Sequence, residues 1–298
     1  LWHLRAIVFP RDLSLAFAVF RLFRPQFKPI ATGKRRHHAR AGLFHDCFID
    51  RHRQQEGLMI WRLFHNQLPF FWHLIRTRFL FWFILMNAVV ILLSMQTAGN
   101  PHATIFSLFF DGVSFRAAET HRVVLPVLWF AYFFVPLLIL LNGLQQLWHT
   151  RTIHLRGLQI PPRKFAEVNL MLIALITTIY EVGAIGIMAI AAAFNLHFGS
   201  WQGLAAIGGL FVTTWLGVFL LLLLQAIGNH FSPSLALIIP ACLLIVSAYT
   251  AIHMNPLGYL MLTRINATNA WHPILVLLGV SGLATMGYLA VERHASLN

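Results

Sequence analysis

The chain has 298 residues, 58% of them hydrophobic and 10% charged, with a mean hydropathy of +0.70 and a formal net charge of +13. Soluble domains carry roughly 25% charged residues, so this composition argues against a water-soluble core protein. It does not argue for a nucleic-acid binder either. Residues 1–58 hold 11 of the 22 Lys and Arg, and the rest sit mainly beside long apolar stretches, where basic residues commonly set membrane topology.

In chain order, residues 1–58 form a basic leader rich in Arg and His. Its apolar stretch Leu13–Phe23 is far too short to span a bilayer, and it lacks a well-placed small-residue cleavage site of the kind that marks a signal peptide. The first methionine is Met59. Two readings stay open here. The leader is a disordered basic tail lying against anionic lipid, or translation starts at Met59 and 1–58 is not part of the native protein. Residues 59–75 mix aromatic and apolar residues with Arg62, His65, Asn66 and His73. They read as an amphipathic segment in the membrane interface, with Trp61 and Trp72 as anchors and Pro69 as a break or kink.

Six apolar stretches follow: Phe79–Gln96, Val123–Leu147, Asn169–Leu196, Leu204–Leu224, Pro233–Ile252 and Pro273–Val291. A helix needs about 20 apolar residues to cross a hydrocarbon core, and backbone in lipid must satisfy its own hydrogen bonds. The expected fold is an all-α integral membrane protein, with six transmembrane helices preceded by the interfacial segment and 59–298 forming one domain. Pro126 and Pro136 predict a kink in the second span. The polar segment His149–Glu167 is interrupted by Gly157 and Pro161–Pro162, and the turn between spans four and five, 228–232, is short. Thr97–Arg122 reads as a loop. His253–His272 reads as a partly apolar segment folding into short helices. An inside amino end places Arg62, Arg76, Arg78, Arg151, Arg156, Arg163, Lys164 and Arg293 on the cytoplasmic side, and Arg116, Arg122 and Arg264 outside. Both termini are then cytoplasmic.

Within the spans, Glu181 stands beside Tyr180 in the middle of the third. An acid at that depth costs about 2.5–3.5 kcal/mol on insertion scales, so it should face the bundle interior. A functional role and a structural one, a protonated or hydrogen-bonded interhelical contact with Thr213 or Thr214 for example, are equally open. Small residues (Gly183, Ala184, Gly186; Ala205, Ala206, Gly208, Gly209; Gly279, Ser281, Gly282, Ala284) predict close helix packing within one bundle, with a dimer seam as the alternative. Cys47 and Cys242 lie in different environments and do not predict a disulfide, and Cys242 reads as packed. The histidines show no zinc-ligand spacing. No P-loop, GxSxG or paired carboxylates occur, so neither metal nor catalytic residues are predicted and ATP is not bound directly.

The order of parts resembles type-2 ABC exporter permeases of the compact kind found in lantibiotic and bacteriocin self-immunity exporters. The resemblance covers residues 59–298. It is carried by the six-span architecture and by three stretches: WFAYFFVPLLILLNGLQQ at the second span and its exit, RGLQIPPRKFAEVNLML leading into the third span, and LLLLLQAIGNHFSPSLALIIP at the turn between spans four and five. Many such permeases carry a glutamate where the second span leaves the membrane, and here Gln145 and Gln146 stand in that place. The resemblance implies a permease subunit in the plasma membrane, exporting an antimicrobial peptide, drug or lipid-like substrate. It implies a second permease chain, identical or not, contact with membrane lipid, and a separate ATPase subunit that hydrolyses the ATP. The implied coupling residues are Arg156, Gly157, Leu158, Gln159, Ile160, Pro161, Arg163 and Lys164, with Asn229, His230 and Phe231 at a second inner turn. The alternatives are a non-transporting sensor or assembly subunit and an integral-membrane enzyme.

Overall fold

The computed structural model describes residues 41–97, 104–120, 125–147, 162–194, 201–250, 252, 255–265 and 271–295, which contain helices and turns and no strand. The chain divides into two compact units, 1–51 and 52–298. Of the first unit only helical residues 41–51 are described. The helices are α1 (Ala41–Thr97), α2 (Ile105–Phe110), α3 (Phe115–Glu119), α4 (Val127–Leu140), α5 (Pro162–Phe194), α6 (Trp201–Phe231), α7 (Pro233–Tyr249), α8 (Leu262–Ile265) and α9 (Trp271–Ala295), with a 3-10 turn at Pro256–Leu260.

Local chemistry sets many of these boundaries. Thr104, Ser114 and Ser232 accept hydrogen bonds from the backbone N–H groups of Ser107, Ala117 and Leu235, and so cap α2, α3 and α7. Pro162 and Pro233 begin α5 and α7, where the missing N–H costs nothing. The expected break at Pro69 is absent: α1 runs continuously from Ala41 to Thr97, and 59–75 is not a separate element. Pro69 lies on the exposed side of the helix, where the carbonyl it leaves without a donor can tilt outward at little cost. Pro136 does not end its helix either. The second apolar stretch is interrupted at Leu141–Asn142, where Asn142 takes φ 59°, and the helix resumes over 143–147.

Among the described residues five helices are long and apolar enough to cross a membrane: Met59–Gln96, Val127–Leu147, Arg163–Ala193, Ile207–Phe231 and Trp271–Arg293. The remaining predicted stretch forms α7, which has 17 residues. α6 is the hub, packing against α4, α5, α7, α9 and the 3-10 turn. Its Val218 and Leu220 to Leu223 are buried. α1 buries one stripe, Leu63, Gln67, Phe71, Ile75, Phe79, Met86 and Val90, and exposes Phe81, Ile84, Leu92 and Met95. α9 exposes Leu275, Leu278, Leu283 and Met286. Helices apolar on the outer as well as the inner face suit hydrocarbon surroundings rather than water.

The small residues divide. A Cβ on Gly183 would come 2.6 Å from the Phe83 ring, so α1 and α5 meet closely there. A Cβ on Gly186, Gly208, Gly209, Gly279 or Gly282 would meet nothing within 4 Å among the described residues, so the packing expected of them within the bundle is not made there. Cys242 is likewise exposed rather than packed.

One end of the bundle carries a cap. The predicted loop 97–122 contains α2 and α3, and the described part of the predicted segment 253–272 contains the 3-10 turn and α8. Arg264, placed outside as a topological charge, is fully buried in this cap. Its Nε donates to the carbonyl of Val113 (2.7 Å), Nη1 to that of Ser247 (3.0 Å) and Nη2 to that of Ala248 (3.4 Å), and the guanidinium sits 4.9 Å from the Phe115 ring centre. Burial lowers its basicity below the ordinary arginine value. The three carbonyls still favour the cation.

Candidate functional site

The site begins with a missing donor. Pro136 has no N–H, so the carbonyl of Tyr132, four residues earlier in α4, loses its helical partner. The Tyr180 hydroxyl, reaching in from α5, donates to that carbonyl at 2.8 Å. The Tyr132 side chain turns into the same space and its Oη donates to Glu181 Oε2 at 2.8 Å. Thr214 Oγ1, from α6, lies 3.0 Å from the same carboxyl oxygen and 2.9 Å from its own Leu210 carbonyl. Glu181, Tyr132 and Thr214 are 0% exposed. No described group donates to Glu181 Oε1. The Phe110 ring, from the cap, closes one side at 4.8 Å from Tyr132. Glu181 therefore faces the interior, as the cost of an acid on a lipid face requires, and Thr214 is its partner. Tyr132 was not foreseen, because its role depends on the α4–α5 crossing.

A second break in α4 is bridged in the same way. The interruption at Leu141–Asn142 frees carbonyls at the end of the helix. Gln225 Nε2, from α6, donates to Leu137 O at 2.8 Å, and Arg78, from α1, donates to Leu141 O. Gly143 sits against Ile75 and Phe71, which brings α1 close to the resumed helix 143–147.

At the end of the bundle opposite the cap lies a second buried acid. Glu292, near the end of α9, is 1% exposed. Its Oε1 accepts from the Tyr288 hydroxyl at 2.9 Å and lies 3.3 Å from His230 Nε2. Asn169 Nδ2, in α5, donates to Tyr288 Oη at 3.3 Å. Three helix ends are thus tied by one polar chain. In the sequence Glu292 and Arg293 look like solvated charges beyond a span, and only the fourth-residue spacing of Tyr288 and Glu292 hinted at a contact.

The residues of the second inner turn end α6. His230 joins the Glu292 chain, the Oδ1 of Asn229 is buried, and Phe231 is 69% exposed. The turn is tight, because a Cβ on Gly228 would come 2.7 Å from the Ala236 Cα and 3.0 Å from its N. Of the coupling residues, Arg163 is exposed and bonds Glu167 at 3.1 Å, while Lys164 lies 3.9 Å from the same carboxylate. Arg156, Gly157, Leu158, Gln159, Ile160 and Pro161 lie outside the described residues. Among the described residues no group of three His, Cys, Asp or Glu is placed to hold a metal.

The described residues form a helical bundle with five helices long and apolar enough to cross a membrane, an acid at the junction of three of them, and a polar chain tying helix ends opposite a folded cap. No protein-family model, curated protein or solved structure matches the chain.

Proposed function

We propose that this chain is the membrane-spanning permease subunit of an ATP-driven exporter of the type-2 ABC class, working with a separate ATPase and a second permease chain. The observation that carries the reading is the end opposite the cap. The α6–α7 turn, with Phe231 exposed, is held by a tight Gly228–Ala236 contact and joined through His230, Glu292, Tyr288 and Asn169 to α9 and α5. Such a turn is mechanically suited to coupling, because a push on it is delivered to three helices at once. In this reading α7 is also a span, the fifth of six in chain order. Its 17 residues fall at the short end of the range that crosses a bilayer. The segment 59–75 lies at the inner surface, both termini are cytoplasmic, and the membrane is the plasma membrane. The transported substrate is an apolar or amphipathic molecule such as a peptide, drug or lipid.

The ATPase would take Phe231 and the apolar residues Leu158 and Ile160 into a groove, with Arg156, Arg163 and Lys164 at its rim. Buried apolar anchors carry more binding energy than rim charges. The test is affinity capture of the full chain from detergent-solubilised membranes of its own organism, with a membrane-abundance blot alongside. An ATP-binding-cassette subunit should co-purify with the wild type and be lost in Phe231→Asp and in Leu158→Asp/Ile160→Asp. Capture without any ATPase rejects the exporter reading.

A further inference from the structure

We propose that Glu181 is a proton-exchange site inside the bundle, with the proton carried on Oε2 and given up to water that enters the site, while the Thr214 hydroxyl turns to fill the hydrogen bond the proton leaves, without moving a heavy atom. The argument is one of donors and acceptors. A threonine hydroxyl has a single proton, and Thr214 Oγ1 has three acceptors in reach, the Leu210 carbonyl at 2.9 Å, Glu181 Oε2 at 3.0 Å and the Phe211 carbonyl at 3.2 Å. With a proton on Oε2, the carboxyl donates to Thr214, and Thr214 donates to Leu210. The Tyr132 hydroxyl donates to Oε2 at 2.8 Å, and every short contact is filled. With the proton gone, Thr214 turns its own proton to Oε2 and the Leu210 carbonyl keeps its helical N–H. Both states fit the same atomic positions.

The other carboxyl oxygen says which state suits the resting bundle. No described group donates to Oε1, which is fully buried. An ionised carboxylate would leave part of its charge there without a hydrogen bond, whereas the acid leaves only a neutral carbonyl oxygen. An unpaired buried charge costs far more than an unpaired neutral acceptor. Release of the proton therefore requires water entering between α4, α5 and α6, one molecule accepting the proton and another donating to Oε1. The titratable groups facing the carboxyl are the phenols of Tyr132, from α4, and Tyr180, its neighbour on α5. α6 presents Thr214, which does not titrate. The proposal stands apart from the exporter reading, since it needs no ATPase.

The experiment is infrared spectroscopy of the full chain in lipid bilayers, following the carbonyl stretch of a protonated carboxylic acid, which ionised carboxylates lack and which shifts in deuterated water. The wild type should show this band at neutral pH. It should vanish in Glu181→Gln, persist in Glu292→Gln, and move in Thr214→Val more than in Thr214→Ser. The threonine pair keeps the test decisive if Glu181→Gln does not fold, because Glu181 is intact in both. Absence of the band in the wild type at neutral pH overturns the proposal. So does a band that survives Glu181→Gln, or one that neither threonine variant moves.

Discussion

Pro136 removes one backbone donor from the middle of α4, and the Tyr180 hydroxyl replaces it at the Tyr132 carbonyl. This compensation is a pairwise claim. Tyr180→Phe strands a buried carbonyl and should cost about 1–3 kcal/mol. In a Pro136→Ala background the helical N–H returns, and the same substitution should cost less than half as much. Thermal or denaturant unfolding of the four proteins in one detergent checks the cycle, and equal costs in both backgrounds would refute it. A second residue-scale claim concerns Arg264, which supplies donors to three carbonyls from two separate parts of the chain. Arg264→Met leaves those acceptors buried and should destabilise by roughly 2–4 kcal/mol. Arg264→Lys should recover little of this, because one ammonium lacks the planar fork that reaches several acceptors at once. Earlier protease nicking within 255–265 would accompany the loss.

At the scale of elements, the glycines separate contact from opportunity. Gly228 lies where α6 turns into α7, and any side chain there meets the Ala236 backbone. Gly228→Ala should displace the turn, lower the unfolding midpoint and weaken whatever binds at Phe231. Gly208 and Gly282 are helical, and a Cβ on either would meet nothing within 4 Å among the described residues. Alanine at either should be neutral or stabilising by up to about 1 kcal/mol, because glycine costs a helix that much in backbone entropy. Measuring all three variants side by side decides between them. Equal behaviour would mean that the small residues are not distinguished by their surroundings. Destabilisation at Gly208 or Gly282 in bilayers alone, not in detergent as monomer, would mark that face as a seam with a second chain.

For the whole molecule, the apolar outer faces of α1, α7 and α9 should lie in hydrocarbon. Cys242 tests this directly, since it is exposed on α7. With Cys47 replaced by Ser, an impermeant maleimide should fail to label Cys242 in intact membranes and should label it after unfolding in denaturant. Ready labelling in intact membranes would place that face in water. Cysteine introduced at Arg116 should react from outside in intact cells and cysteine at Arg156 only after permeabilisation. The reverse pattern would invert the proposed topology.

The helical class and most of the span positions were readable from the sequence alone, because long apolar runs with few charges admit only helices wherever the backbone must bond to itself. Pro233 and Glu181 also announced themselves: a start of an apolar stretch and an acid too costly for a lipid face. Pro162, read as an interruption, instead begins α5, and Ser232, read as part of a turn, caps α7. Other features depended on which helices cross. Tyr132 looks like an ordinary span residue, and Thr213 and Thr214 are equal candidates as partners, until α4, α5 and α6 meet at Glu181. Glu292 reads as a solvated end charge until α9 returns beside His230. Arg264 passes for a topological charge until the cap folds over it. The second span is interrupted at Leu141–Asn142, which no residue there announced, while at Pro136 the helix continues and Tyr180 supplies the donor that the proline lacks. Local sequence determines where a helix is possible and which polar groups need partners; only the tertiary structure decides which distant side chain provides each one.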